Sequence, residues 1–392
     1  MRKLSFKLTA SSEIPPFLDG PDPDEVNIPL LGHKVIVKKN DEVCVGTTIG
    51  IHPNPKRGDA HSSIEGVVTK ISHNAITVQK QAITNPVAEC PAPRDISTLE
   101  GEELAFALKS LGLGMREFNK PGDHIVINGF NPEPGILWAD GVFANYMTEL
   151  KAAVGIVKRL MKPRQISVVL PQGAKWKLGE DVRHFYAKPY YPNSNNALVI
   201  KTATKKENPK GVTAVTLHTL WRYGVVAVSG MPALRTVVTV QDNNYAVLAG
   251  TSVRDLLAHA GRYPQEGDYV ILGGYMRGRA ISDLDQSLAS YSYGLFHVGK
   301  DEFTHVHENP CINCGACVQY CPAHLMPNII SRNAEFQNYE ECRRLSVNAC
   351  MECGLCSYYC IARRPMMQYM REAKRLIAIE DSKLKMESEG QL

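Results

Sequence analysis

The sequence lacks any run of about 18 consecutive apolar residues, so no membrane-spanning helix is readable in it. It also lacks a Lys/Arg block or an alternation of basic with aromatic residues, and its formal net charge is only +4, from 44 basic and 40 acidic residues. Nucleic acid is therefore not an expected partner. The first residues, "MRKLSFKLTASSEIPPF", have a charged start but no apolar core and are not read as a secretory signal. A cytoplasmic setting is expected, in which thiols stay reduced and clustered cysteines mean metal more often than disulfide. What remains is a chain of 392 residues, 44% hydrophobic and 21% charged. That is the composition of a soluble globular protein of roughly two to four domains.

Residues 25–93 are rich in strands and turns. "HKVIVKKNDEVCVGTTIG" and "SSIEGVVTKISHNAITVQK" alternate apolar and polar residues between Gly, Asn and Asp turns, in the manner of a lipoyl-type β-sandwich. His61 and Ser62 there read as part of a turn. "PAPRD", 91–95, is a linker candidate. A helix is predicted over 98–111, a strand over 124–129, a helix over 138–160 and a strand over 165–171. This alternation argues for a Rossmann-like, mostly parallel sheet. "ALVIKTATKK" and "GVVAVSGMPALRTVVTV" are read as further strands on its far side. Between 235 and 298 the pattern is strand, turn, strand, short helix with Thr251 or Ser252 as N-cap, then two strands about a Gly-Gly turn. From 299 onward the chain is helical around its cysteines, and the polar last residues, 381–392, are expected to fray. The predicted fold class is thus α/β multidomain, with boundaries 1–93, 94–234, 235–298, 299–380 and a flexible tail at 381–392.

The cysteines carry the chemistry. "CINCGACVQYCP" starts at 311 and "CMECGLCSYYCI" at 350, 39 positions later, and together they hold eight of the 11 cysteines. Each reads C-x2-C-x2-C-x3-C. Three cysteines at steps of three wrap a short loop around one [4Fe-4S] cluster, and the fourth opens the next helix and reaches the other cluster. The spacing assigns Cys311, Cys314, Cys317 and Cys360 to one cluster, and Cys350, Cys353, Cys356 and Cys321 to the other. Structural zinc would instead favour two C-x2-C pairs, and disulfides are the weaker alternative in a reducing compartment. Pro322 follows the first motif where Ile361 follows the second, which removes a preset helix start but no ligand. Cys44, Cys90 and Cys342 lie outside the pattern, and Cys342 reads as a small buried hydrophobe. Nothing in the spacing of His305 and His307 suggests a Rieske centre.

"NPCINCGACVQYCPAHLMP" and "NACMECGLCSYYCIARRPMMQYMREAKR" resemble the RnfC family, the C subunits of the Rnf ion-translocating ferredoxin:NAD oxidoreductases. The resemblance runs in order over nearly the whole chain. "IPLLGHKVIVKKNDEVCVGTTIG" is similar to the family's N-terminal sandwich, and "VINGFNPEPGILWAD" to its acidic strand end. "RTVVTV", "AGTSVRDLLAHAG" and "VILGGYMRG" are similar to its SLBB β-grasp domain, and the cysteine segment to its helical, ferredoxin-like double-cluster domain. The family's middle domain is similar to the flavin-bearing subunit of respiratory complex I, where a glycine-rich loop cradles FMN and NADH. On that resemblance Gly112, Gly114, Asn128, Gly129, Asn131 and Glu133 are the cofactor-binding candidates. Here the sequence departs from the family. Its loop is only "LGLGMREFNKPG", with Met115, Arg116 and Glu117 where glycines would leave room for phosphate. A helix C-cap for the two glycines and a polar loop for 128–133 are the plainer readings.

The resemblance implies an electron-transfer subunit of a membrane-associated complex, peripheral to the inner (cell) membrane, with integral membrane subunits as partners. A ferredoxin, a cytochrome or another redox protein would be its donor or acceptor. The alternatives are a stand-alone flavin- and NADH-dependent reductase akin to cobalamin reductases, and a non-catalytic iron-sulfur adaptor. Because the glycine loop is short, the isolated chain is expected to bind FMN weakly or not at all and to show little NADH oxidation.

Overall fold

The computed structural model describes residues 6–8, 16–118, 122–302 and 309–389. The chain divides into two compact units, Arg2–Gly274 with Arg279–Lys300, and Tyr275–Gly278 with Asp301–Leu392. In the larger unit a four-stranded sheet runs in the spatial order Val182–Ala187, Gln165–Pro171, His124–Asn128, Val212–Thr216. Every pairing in it is parallel. By position in the chain this order is third, second, first, fourth, the arrangement of a doubly wound half. Val126, Ile127, Val168 and Leu170 are wholly buried, as strands covered on both faces require.

Two segments read as strands are helical. "ALVIKTATKK" lies in the helix Asn196–Thr204, and the first part of "GVVAVSGMPALRTVVTV" in the helix Leu217–Ser229. Short apolar runs do not separate strand from helix by composition. The burial decides it. Leu217, Leu220 and Trp221 repeat at helical spacing, as do Val199 and Ala203. The helix expected over 138–160 is two helices, Trp138–Asn145 and Met147–Met161.

Residues 25–80 form two small antiparallel sheets around a core of Val26, Ile28, Val43, Ile49, Val68, Ile76 and Val78. Glu42 closes this part on itself. Its carboxylate accepts the backbone N–H groups of Thr84 and Asn85, each at 2.6 Å, and its carbonyl accepts that of Val87 at 2.8 Å. The returning segment brings Cys90 within 5.5 Å (Cα–Cα) of Cys44, and the two form a disulfide. Closing a loop of 46 residues in this way stabilises the fold by roughly 4 kcal/mol in the chain-entropy picture. A fourth, six-stranded mixed sheet joins Phe17–Asp19 to the strands of 235–298. The strand Phe17–Asp19 thus pairs with residues 244–246, far along the chain. Ser252 caps the helix Val253–His259, accepting the Asp255 N–H at 2.9 Å, as its sequence position predicts.

The smaller unit is helical. Pro327–Glu335, Tyr339–Arg344 and Met366–Glu389 enclose Leu325, Ile330, Cys342, Val347, Met370, Ala373 and Ile377. Cys342 is fully buried among these apolar groups. Within the segment expected to fray, the last helix continues to Glu389. Arg343 holds it there, with Asp381 at 2.8 Å and Glu380 at 3.2 Å. His305 and His307 lie outside the described residues. No described helix is long and apolar enough to cross a membrane.

Candidate functional site

The two cysteine motifs fold as near-copies related by a shift of 39 positions. Gly315 (φ 78°) starts the helix Ala316–Gln319, and Gly354 (φ 78°) starts Leu355–Tyr358. Left-handed residues recur at Asn313 and Glu352, and at His324 and Arg363. The next helices start at Pro327 and at Met366. Tyr320 and Tyr359 occupy matching positions and stack on each other, with ring centroids 3.7 Å apart.

This arrangement crosses the motifs. Cys311, Cys314 and Cys317 line one cavity together with Cys360, the last cysteine of the second motif. Cys350, Cys353 and Cys356 line another together with Cys321, the last cysteine of the first. Counting the part open to solvent, the spaces are about 290 and about 360 Å³. The thiols surround these spaces and do not converge on a point. Among the described residues no group of three or more His, Cys, Asp or Glu is placed to hold a single metal ion.

Backbone N–H groups aim at the sulfurs in matched pairs. Asn313 donates to Cys311 and Glu352 to Cys350, while Leu325 donates to Cys321 and Arg364 to Cys360, all at 3.4 Å. Such donors stabilise charge on sulfur. Burial works the other way, pushing the Cys353 thiol up to about 11 and the Cys356 thiol up to about 12. Thiolates this desolvated need positive charge beside them, which iron supplies. The donor set, the apolar lining and the backbone donors fit a thiolate-ligated cubane.

The candidates for FMN and NADH form a different picture. The chain fills that crevice with its own groups. Asn128, at the end of the first parallel strand, donates to the Ser194 carbonyl at 2.7 Å and to Asn196 Oδ1 at 2.8 Å. Asn131 donates to the Leu8 carbonyl at 2.7 Å and to Asp140 at 3.0 Å, and accepts the Ala139 N–H at 2.8 Å. Glu133 is fully buried and accepts the Tyr293 hydroxyl at 2.5 Å. Gly274 presses on it so closely that an added Cβ would stand 2.2 Å from the carboxyl carbon. Gly129 is a packing glycine, since a Cβ there would lie 2.6 Å from Leu170.

Gly112 and Gly114 lie under the loop 54–60. A Cβ on Gly58 would stand 2.3 Å from the Gly112 carbonyl carbon, so the two backbones touch. Met115 N–H donates to the Lys56 carbonyl at 2.8 Å, and Asp59 N–H to the Lys109 carbonyl at 3.0 Å. The buried Asp59–Lys109 ion pair, 2.5 Å, clamps the loop down. His61 is no free turn residue. It is buried against the Ser110 carbonyl at 2.9 Å, and burial lowers it to about 4, so it is neutral at physiological pH.

Glu117 completes the closure. In an open parallel sheet the ligand crevice opens where strand order reverses, here between His124–Asn128 and Val212–Thr216. Thr216 caps the helix Leu217–Ser229 at that point, a natural anion site. Glu117 Oε2 accepts the Thr216 N–H at 2.8 Å and Oε1 accepts its hydroxyl at 3.0 Å. A carboxylate of the chain thus stands where a phosphate would be bound. Sequence reasoning found the acid but missed its partner, which lies 99 residues away. It also missed the 54–60 loop, whose only signal is "PKRGDAH", a charged stretch with one glycine.

No protein-family model matches the chain. Among curated proteins it is 26% identical to the C subunit of the proton-translocating ferredoxin:NAD(+) oxidoreductase complex of Clostridium ljungdahlii, over 94% of this chain and 91% of that protein. It is 27% identical to the C subunit of the ion-translocating oxidoreductase complex of Rhodobacter capsulatus, over 90% of this chain and 78% of that one. The subunit of the same name from Yersinia pestis is 29% identical over 64% of this chain, which spans 44% of that protein. Among solved structures, an NAD+-reducing [NiFe]-hydrogenase in the H2-reduced state superposes with a TM-score of 0.42 and 12% identity, over 70% of this chain and 57% of that one, too distant to carry an argument. The resemblance carried by the cysteine motifs and by the order of the segments is borne out: this chain is a relative of the C subunits of the Rnf-type ion-translocating oxidoreductase complexes.

Proposed function

We propose that this chain is an electron-transfer subunit of an Rnf-type ion-translocating complex and that it relays electrons through two [4Fe-4S] clusters. The observation that carries the reading is the pair of cavities, each lined by four cysteines drawn from both motifs. Cys311, Cys314, Cys317 and Cys360 would hold one cluster; Cys350, Cys353, Cys356 and Cys321 would hold the other. Each cluster, when bound, supplies one-electron chemistry. The chain supplies thiolate ligands, backbone N–H groups aimed at the sulfurs, and an apolar lining that limits water.

FMN and NADH do not fit the candidate residues. Asn128, Asn131 and Glu133 are engaged internally, Gly112 lies against Gly58, and Glu117 takes the helix N-terminus. No step is assigned to either cofactor in this chain. Electrons would arrive from and leave to redox proteins, such as a ferredoxin or a cytochrome, and membrane association would come through integral subunits of the complex. The names of the curated relatives support membership in such a complex.

The test is the anaerobically purified protein. The expected result is about eight iron atoms and as many labile sulfides per chain, with no stoichiometric flavin released by acid and no bleaching by NADH. Zinc without sulfide would sink the cluster reading. Stoichiometric FMN with rapid bleaching by NADH would sink the closed-crevice reading.

A further inference from the structure

The two cavities share a backbone but not a lining. At the position seven residues beyond the final cysteine of each motif, the first cavity has Asn328 and the second has Met367. These are equivalent under the 39-residue shift. Asn328 is tied to its cavity twice. Its backbone N–H lies near enough to Cys317 to oppose the rise that burial gives that thiol. Its side chain lines the cavity, with Nδ2 donating to Asn313 Oδ1 at 2.9 Å.

The other amide atom is the telling one. Asn328 Oδ1 is buried with no hydrogen-bond partner among the described residues. A buried acceptor left unpaired forfeits its hydration without compensation, so such an atom needs an explanation. Amide oxygen and nitrogen exchange places by a half-turn. Turning both Asn313 and Asn328 keeps their mutual bond, with Asn313 now donating. It also puts the Asn328 NH2 where the orphaned oxygen stands. A cluster offers sulfur acceptors and no donors, so the turned amide is satisfied only when the cluster is present.

The surroundings point the same way. Arg364, 6% exposed and paired with Glu335 at 2.6 Å, follows Cys360 beside the first cavity, where Leu325 follows Cys321 beside the second. Glu352 stands beside the second cavity where Asn313 stands beside the first, although Lys374 and Arg371 offset its charge at 2.5 and 3.2 Å. Reduction adds negative charge to a cluster, and donors or cations near it raise its potential.

We propose that Asn328 donates a side-chain hydrogen bond to a sulfur of the cluster held by Cys311, Cys314, Cys317 and Cys360, making it the higher-potential cluster of the two. The proposal rests on the two-cluster reading above. Its test is a dithionite titration of the full-length protein followed by electron paramagnetic resonance, in the wild type, Asn328→Met and Met367→Asn. Two midpoints are expected in the wild type. Asn328→Met should lower the higher one toward the other, leaving the lower in place, and Asn328→Ser, which keeps a donor, should recover part of the shift. Met367→Asn should raise the lower midpoint alone, and decides the matter if Asn328→Met fails to assemble. Two intact clusters whose midpoints ignore all three changes would overturn the role of Asn328 while leaving the cluster reading standing. A wild type without two clusters would overturn both.

Discussion

A buried ion pair reinforces the closure over Gly112, and its removal should loosen the loop 54–60 by a predictable amount. Asp59 and Lys109 meet at 2.5 Å with side chains only 9% and 11% exposed. Asp59 Oδ1 has one further donor, the His52 N–H at 3.0 Å. Lys109→Ala therefore leaves a buried carboxylate with a single neutral hydrogen bond. Breaking a buried pair from one side costs about 3–5 kcal/mol, and the residual exposure favours the lower end, about 3 kcal/mol. The loss falls on a local opening, because the pair joins one loop to the end of the helix Gly101–Ser110. Hydrogen exchange reads it directly. The amides of Met115 and Asp59 bridge loop and helix, and 3 kcal/mol corresponds to exchange faster by roughly 150-fold. Amides of the parallel sheet, such as Val168, should keep their protection. Replacing both partners, Asp59→Leu with Lys109→Met, should restore much of the protection by removing the uncompensated charge. Exchange at Met115 that changes by less than about threefold in Lys109→Ala would mean that the clamp holds nothing, and the closed crevice would need another cause.

The crossed ligation makes a prediction that ligand counting can read. Cys311→Ala with Cys360→Ala should remove one cluster and leave about four irons, whereas Cys350→Ala with Cys360→Ala should damage both clusters; the reverse pattern would uncross the motifs. Glu117 has a pH signature. Burial raises its carboxyl above the ordinary value despite the opposing Thr216 bonds, so the folded state binds the proton more tightly. Its favourable contribution is complete below the unfolded value and fades as pH rises through the folded one. In denaturant titrations the stability of Glu117→Gln relative to wild type should therefore rise as pH climbs from below the ordinary carboxylate range to above it; a difference that does not vary with pH would contradict this.

How much of this was legible in the sequence depends on how local each cause is. The cysteine pattern is legible because steps of three place three sulfurs around one cavity and the repeat 39 positions on supplies the fourth from the other motif. The strand Gln165–Pro171 was legible for the same reason, being a continuous apolar run bounded by turns. Asn196–Thr204 was not, since nine residues of mixed β-branched and alanine character suit either element until the neighbouring strands claim one face. The fate of Asn128, Asn131 and Glu133 was beyond local reading altogether. Their partners Ser194, Leu8 and Tyr293 lie 66, 123 and 160 residues away. The Cys44–Cys90 bond likewise follows from Glu42 gathering the segment 84–87, which no cysteine spacing reveals.

The closed crevice and the unequal cavities bear on the same question, namely how electrons enter. A nicotinamide delivers a hydride and needs a flavin to split it into single electrons. That exchange requires open backbone at a helix N-terminus and free polar groups at the strand ends, and here Glu117 and the strand-end residues take both. On the proposed reading, a chain built in this way handles electrons singly, at its clusters. Two clusters of equal potential would share an electron evenly between them. On the proposal above, Asn328 in place of its counterpart Met367 breaks that equality within an otherwise repeated backbone, and an arriving electron would settle on the cluster of Cys311, Cys314, Cys317 and Cys360. Next to that cavity Ile312 is 64% exposed and Cys314 is also exposed, whereas Cys353 and Cys356 are buried. On these proposals the electron rests at the more accessible of the two clusters, where an acceptor protein can approach it.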